Sequence, residues 1–126
     1  MAGENKDLER GWSMLEIIVV VGLIASLCAI GIPVFTSYKT RSFDARAKND
    51  LVAAAIAQET YYIDWSNYSS CSSSSNCDTV LPQFEPSDGV QISTIHVTSN
   101  YFVMTAYHPK GESTFTWNSQ NKGLQE

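Results

Sequence analysis

The chain has 126 residues, enough for one small globular core once its long apolar stretch is set aside. A formal net charge of −5 argues against a nucleic-acid-binding protein, and two histidines with three cysteines do not fall at the spacing of a metal site. The histidines, carboxylates and serines show no nucleophile and base pattern, so neither an enzyme nor a cofactor is indicated.

Residues 1–11 are polar and lack an apolar core of the signal-peptide kind; they read as a leader to be processed and carry no fold information. Residues 12–35 form the next segment. From 17 to 35 there are nineteen residues without a charged side chain, and as a helix they cover about 30 Å, the thickness of a bilayer core. A membrane-spanning helix is predicted there. Glu16, at its edge, is the single charge between Gly11 and Pro33. A carboxylate at that depth costs free energy unless something compensates it, which makes it a functional candidate. Gly22, Gly31 and Pro33 weaken the helix and predict a kink or break. Cys28 reads as a small apolar packing residue.

Residues 36–65 predict an amphipathic continuation of the helix. Leu51, Val52, Ala55, Ile56, Glu59, Tyr62 and Ile63 recur at helical spacing as the packing face, opposite Lys39, Arg41, Asp44, Arg46, Lys48, Asn49, Asp50 and Gln58. The aromatic series Phe35, Tyr38, Phe43, Tyr61, Tyr62 and Trp65 is read as packing, since no haem or iron–sulfur ligand set accompanies it. Residues 66–89 form a Ser-rich loop containing Cys71 and Cys77, with Ser72 to Ser75 as a flexible tract. Residues 90–126 alternate with period two and predict three or four antiparallel strands. Turns fall at 98–100 and 109–111, a bulge or early turn at Ser93 and Thr94, and Phe102, Met104, Ala106, Phe115 and Trp117 point inward. The expected fold is α+β: a long N-terminal helix, membrane-spanning in its first half and amphipathic in its second, packed on a small antiparallel sheet.

A charged leader ending in Gly11, a bulky apolar Trp12, Ser13, Glu16, and an apolar run closed by Pro33 together resemble the N-terminus of type IV pilins and the related secretion pseudopilins. The resemblance implies a pilin fold and cleavage by a prepilin peptidase between Gly11 and Trp12, followed by methylation of the new Trp12 amine. It implies that Glu16 meets the Trp12 amine of a neighbouring subunit and that the stretch from Gly22 to Pro33 loses helicity on assembly. The implied partners are further copies of the chain, inner-membrane assembly machinery and the membrane. The chain would start as a single-pass inner-membrane protein and end in an extracellular pilus used for adhesion, twitching motility or DNA uptake. In such an exported domain Cys71 and Cys77 are expected to be oxidised, a short closure worth about 2 kcal/mol.

Lys39, Arg41, Arg46 and Lys48 follow the span, so the positive-inside bias alone would place the C-terminal side in the cytoplasm. The resemblance places it outside, and the enzyme-read cleavage site takes precedence. Two alternatives stand beside the pilus subunit. A major secretion pseudopilin typically ends in a carboxylate-rich calcium loop, whereas here Glu112 and Glu126 flank Thr, Asn, Gln and Gly residues. A membrane-anchored periplasmic binding module would leave Gly11 and Glu16 without a reason.

Overall fold

A computed structural model describes residues 11–121 and 123–125, which form two units, Met1–Thr36 and Ser37–Glu126. The leader residues 1–10 lie outside the described residues, as do Lys122 and Glu126.

In the first unit Gly11, Trp12 and Ser13 are non-helical, and helix α1 (Met14–Trp65) begins directly after them. The Ser13 carbonyl accepts the amides of Glu16 at 3.0 Å and Ile17 at 3.2 Å, which closes the first turn. Of the kink or break expected at Gly22, Gly31 and Pro33, no break is present in the single chain, where α1 runs through all three as helix. Proline removes one helical donor, but opening further backbone in an all-apolar stretch would strand many more polar groups. The hydroxyls in this stretch are satisfied inside the helix: Ser26 Oγ donates to the Leu23 carbonyl and Thr36 Oγ1 to that of Pro33, both at 2.8 Å. Every described residue of this unit is exposed.

The second unit holds the rest of α1, helix α2 (Ser74–Val80), and strands β1 (Gln91–Val97), β2 (Phe102–Tyr107), β3 (Thr114–Asn118) and β4 (Gly123–Gln125). The strands form an antiparallel meander in the order β1-β2-β3-β4. Phe102, Met104, Ala106 and Phe115 face inward as the alternation predicts, with Trp117 packed partly buried against them. The register shift falls between Thr94 and His96, two residues past Ser93, and leaves Ile95 as the extra residue, 63% exposed.

The helical face presented to this core is Ala47, Asp50, Leu51, Ala54, Ala55, Ala57 and Gln58. It is rotated from the expected one: Ile56 and Ile63 are exposed at 63% and 80%, while Asp50 and Gln58, assigned to the polar face, are buried. Alanines allow close approach of helix and sheet, and the two polar side chains satisfy backbone that the core would otherwise strand. The Asp50 carboxylate accepts from the Ser87 amide at 2.7 Å and its hydroxyl at 2.9 Å. The Gln58 amide donates to the Ser69 carbonyl at 2.6 Å and accepts the Ser69 N–H at 3.1 Å. Asp44 Oδ1 accepts the amides of Glu112 and Ser113, fixing the β2–β3 turn. A side chain at Gly111 would collide with that carboxylate.

The stretch 66–89, expected as loop, contains α2. Ser73, in extended conformation, caps it by accepting the Asn76 amide on its hydroxyl. Ser66, at a positive φ of 53°, ends α1, its amide reaching the Tyr62 carbonyl at 2.8 Å.

Candidate assembly site

The residues singled out near the N-terminus come together. Gly11, Trp12, Ser13 and Glu16 line one cleft at the start of α1, with Gly11 and Trp12 exposed and non-helical. A processing enzyme needs an extended, accessible backbone, and a Cβ at Gly11 would meet nothing within 4 Å in the chain itself. The requirement for glycine there is therefore not one of packing within the subunit. Glu16 sits in the first turn, three positions past Ser13, where the positive end of the helix dipole favours a carboxylate. The S-x-x-E spacing before an apolar run is a helix-start signature that the sequence carries and that explains where α1 begins. Among the described residues the Glu16 carboxylate has no hydrogen-bond or ion-pair partner.

Gly22 and Pro33 lie further along the same apolar helix and touch none of these residues. A Cβ added at Gly22 or Gly31 would likewise find open space, so packing within the subunit does not demand glycine at either. Around the helix Ile18, Leu23, Leu27, Ile30 and Ile32 stand 61–71% exposed. Helix α1 is long and apolar enough to cross a membrane. Cys28 is free and exposed beside Gly31 and Phe35 in a shallow apolar groove.

Cys71 and Cys77 are bonded, with Cα atoms 4.9 Å apart. The bridge does more than close a loop, because its surroundings cover the outer edge of β1. The Thr94 amide donates to the Cys71 carbonyl at 2.8 Å and Thr94 Oγ1 accepts the Cys71 amide at 3.1 Å. Ser74 Oγ donates to the Val90 carbonyl at 2.7 Å and accepts the Ile92 amide at 2.8 Å. An open strand edge is a template for uncontrolled pairing, and here Cys71 and Ser74, the latter within a stretch read as a flexible tract, cover it. The signal available in sequence was Ser73 followed by Asn76 and Cys77, a cap followed by a short turn of helix.

The aromatic residues divide. Phe43 stacks on His108 at 4.3 Å, and Tyr62 stacks on Tyr68 at 4.7 Å, which meets Phe102 at 4.8 Å. Phe35, Tyr38 and Trp65 remain 65–70% exposed, so packing within the chain accounts for only part of the series. Tyr68 donates to the Glu59 carboxylate at 3.2 Å; burial, then the Glu59 charge, pushes its hydroxyl above the usual tyrosine range. Among the described residues no cluster of His, Cys, Asp and Glu suits a metal ion.

No family model matches the chain. Curated relatives do. Over 60 residues it is 37% identical to the type IV major pilin protein PilA of Myxococcus xanthus, a match covering 48% of this chain and 27% of that protein. It is 32% identical over 66 residues to the type IV major fimbrial protein FimA of Dichelobacter nodosus, covering 52% and 42%. Over about half of its length the chain is therefore similar to type IV major pilin and fimbrial proteins. A third relative is the prepilin peptidase-dependent protein D of Escherichia coli, 31% identical over 70 residues, or 56% of this chain and 48% of the relative. The matches thus span a quarter to a half of the relatives' own lengths. The architecture, a long N-terminal helix with a four-stranded antiparallel sheet, is of the pilin type and agrees with that similarity.

Proposed function

We propose that this chain is a pilin, a structural subunit of an extracellular type IV pilus, held in the inner membrane by residues 12–35 before it polymerises. The observation that carries this is the exposure of the whole apolar stretch of α1: a helix hydrophobic all round is stable only among lipids or other apolar helices. A peptidase cuts between Gly11 and Trp12, the leader staying on the cytoplasmic side and the sheet unit lying outside. In the growing filament the Glu16 carboxylate then meets the Trp12 ammonium of a neighbouring copy. Two unit charges 4 Å apart attract by about 4 kcal/mol at an effective dielectric near 20, and pairing removes both from an otherwise uncompensated apolar setting.

Gly22 and Pro33 belong to the same event. With no neighbour requiring glycine in the subunit, the stretch is free to open or to admit a close helix in the assembled bundle, with Ser26 able to take a released backbone hydrogen bond. The role is structural rather than catalytic and uses no cofactor. Similarity to PilA and FimA supports a pilus subunit over a pseudopilin. A tethered binding module gives Gly11 and Glu16 no task.

The test is the mass of the mature chain together with imaging of sheared surface filaments. The expected result is a chain starting at N-methylated Trp12 in filaments that contain it. A chain retaining its leader, or cells that bear no such filaments, contradicts the proposal.

A further inference from the structure

Along α1 in the second unit the exposed charges are sorted by end, cationic at its start and anionic at its finish. Lys39, Arg41 and Arg46 lie in its first helical turns, and Lys110 sits in the β2–β3 turn, which Asp44 ties to those turns. Arg46 and Lys110 both approach the Phe43 ring, at 5.7 Å each, whereas Lys39 and Arg41 are simply exposed. Glu59 and Asp64 lie in the last turns of α1. By helical rise Arg41 and Asp64 are about 35 Å apart along the axis.

Neither end is arranged for the helix's own benefit. Asp64 is exposed one position before the end of α1, where the dipole is negative and the last turn carries no basic residue. Beside it Tyr61 and Trp65 stack at 6.2 Å, and Trp65 stays 70% exposed, offering a ring face to a cation. At the other end, Lys39 and Arg41 follow the apolar stretch on the side that a positive-inside bias would leave poor in cations for an outward-facing unit. Their placement answers to something other than topology.

We propose that the Asp64, Tyr61 and Trp65 end of one copy receives Arg41 and Lys39 of a second copy, in a head-to-tail contact between sheet units. This rests on the subunit reading and extends it, since it assigns a polar contact outside the apolar bundle. Like ends repel and opposite ends attract, so the contact is heterologous and propagates an open filament rather than closing a dimer. The guanidinium supplies what the helix end lacks: a cation for Asp64 and a partner for the Trp65 ring. Contacting copies are then displaced by about 35 Å along the helix axis.

The test is a charge exchange in the full chain, in a strain lacking its own copy, with Arg41→Asp, Asp64→Arg and the two combined. Sheared filament yield and mature mass are read together. Each single reversal is expected to lower filament yield about tenfold or more with the Trp12-started mass unchanged, and the double to recover to within about threefold of the original. Single variants assembling at the original yield overturn the proposal, as does a double variant as poor as the singles. A loss with Arg41→Asp alone also overturns it and points to anionic lipid as the partner of the basic end. If the unaltered chain yields neither filament nor Trp12-started mass, the subunit reading itself has failed, and the proposal falls with it.

Discussion

Between 14 and 36 helix α1 exposes large apolar side chains on every side, Ile24 at 55% and Leu27 at 71%, whereas between 47 and 58 it buries Ala47, Leu51 and Ala54 completely. The difference lies in pattern rather than in helix propensity. The first stretch is apolar all round and has no packing partner among the described residues; the second is a narrow stripe of small residues fitted to a sheet and edged by Asp44, Asp50 and Gln58, whose side chains bind backbone of the segments they meet. One part of the helix is packed by its own chain, and the other is left uncovered by the described residues.

Truncating the same kind of side chain in each unit should break that comparison if it is wrong. Phe102→Ala removes a fully buried ring and is expected to cost about 3 to 5 kcal/mol in denaturant unfolding of the sheet unit. Ile24→Ala, in the apolar stretch, should leave that transition within about 0.5 kcal/mol. Equal losses from both would mean that the exposed stretch packs on the core after all. Asp50→Ala strips the Ser87 amide and hydroxyl of their shared acceptor, and should cost about 1.5 to 3 kcal/mol on the same curve. No loss would return Asp50 to the solvated face.

That residue also shows where sequence pattern is legible and where it is not. The strand alternation from 102 to 117 exposes one face to water and one to the core, so period two is enough to place Phe102, Met104, Ala106 and Phe115 inward. The helical stripe was harder. Ile56 and Ile63 are large and apolar, and hydropathy alone turns them toward the core, but close helix–sheet packing selects the alanines, and buried backbone elsewhere selects Asp50 and Gln58. Such polar residues are invisible to hydropathy because what they satisfy is distant in sequence, Ser87 and Ser69. Ser74 was hidden for the same reason: its partners, the Val90 carbonyl and the Ile92 amide, are distant in sequence. At the N-terminus the Gly11, Trp12 and Glu16 spacing is readable because the three fall within six residues, while nothing in the chain itself discloses what the Glu16 carboxylate meets.

The disulfide sharpens the contrast more gently. Replacing both Cys71 and Cys77 by serine should lower stability of the sheet unit by about 2 kcal/mol and loosen the cover on β1. In the unaltered protein neither sulfur should label with a thiol reagent until a reductant is added, and ready labelling of both contradicts the bridge. The smallest expected effect is alkaline. With the Tyr68 hydroxyl held protonated by burial and by Glu59, its contribution is constant below about pH 10 and declines above it, as the unfolded chain loses its proton first. Tyr68→Phe should flatten that part of the curve, and an unchanged decline would assign it to other groups.

The central claim is that the first turn of α1 is an assembly device whose carboxylate serves another copy, and Glu16→Ala tests it most directly. Cleavage after Gly11, membrane insertion and folding of the sheet unit should all persist, since they depend on an extended accessible backbone and on the distant core. Incorporation into filaments should fall by a hundredfold or more, because removing one partner of a buried charge pair costs about 3 to 5 kcal/mol. Filaments at the original yield from the correctly processed variant would make Glu16 a helix-start residue with no role in assembly, and would contradict the account.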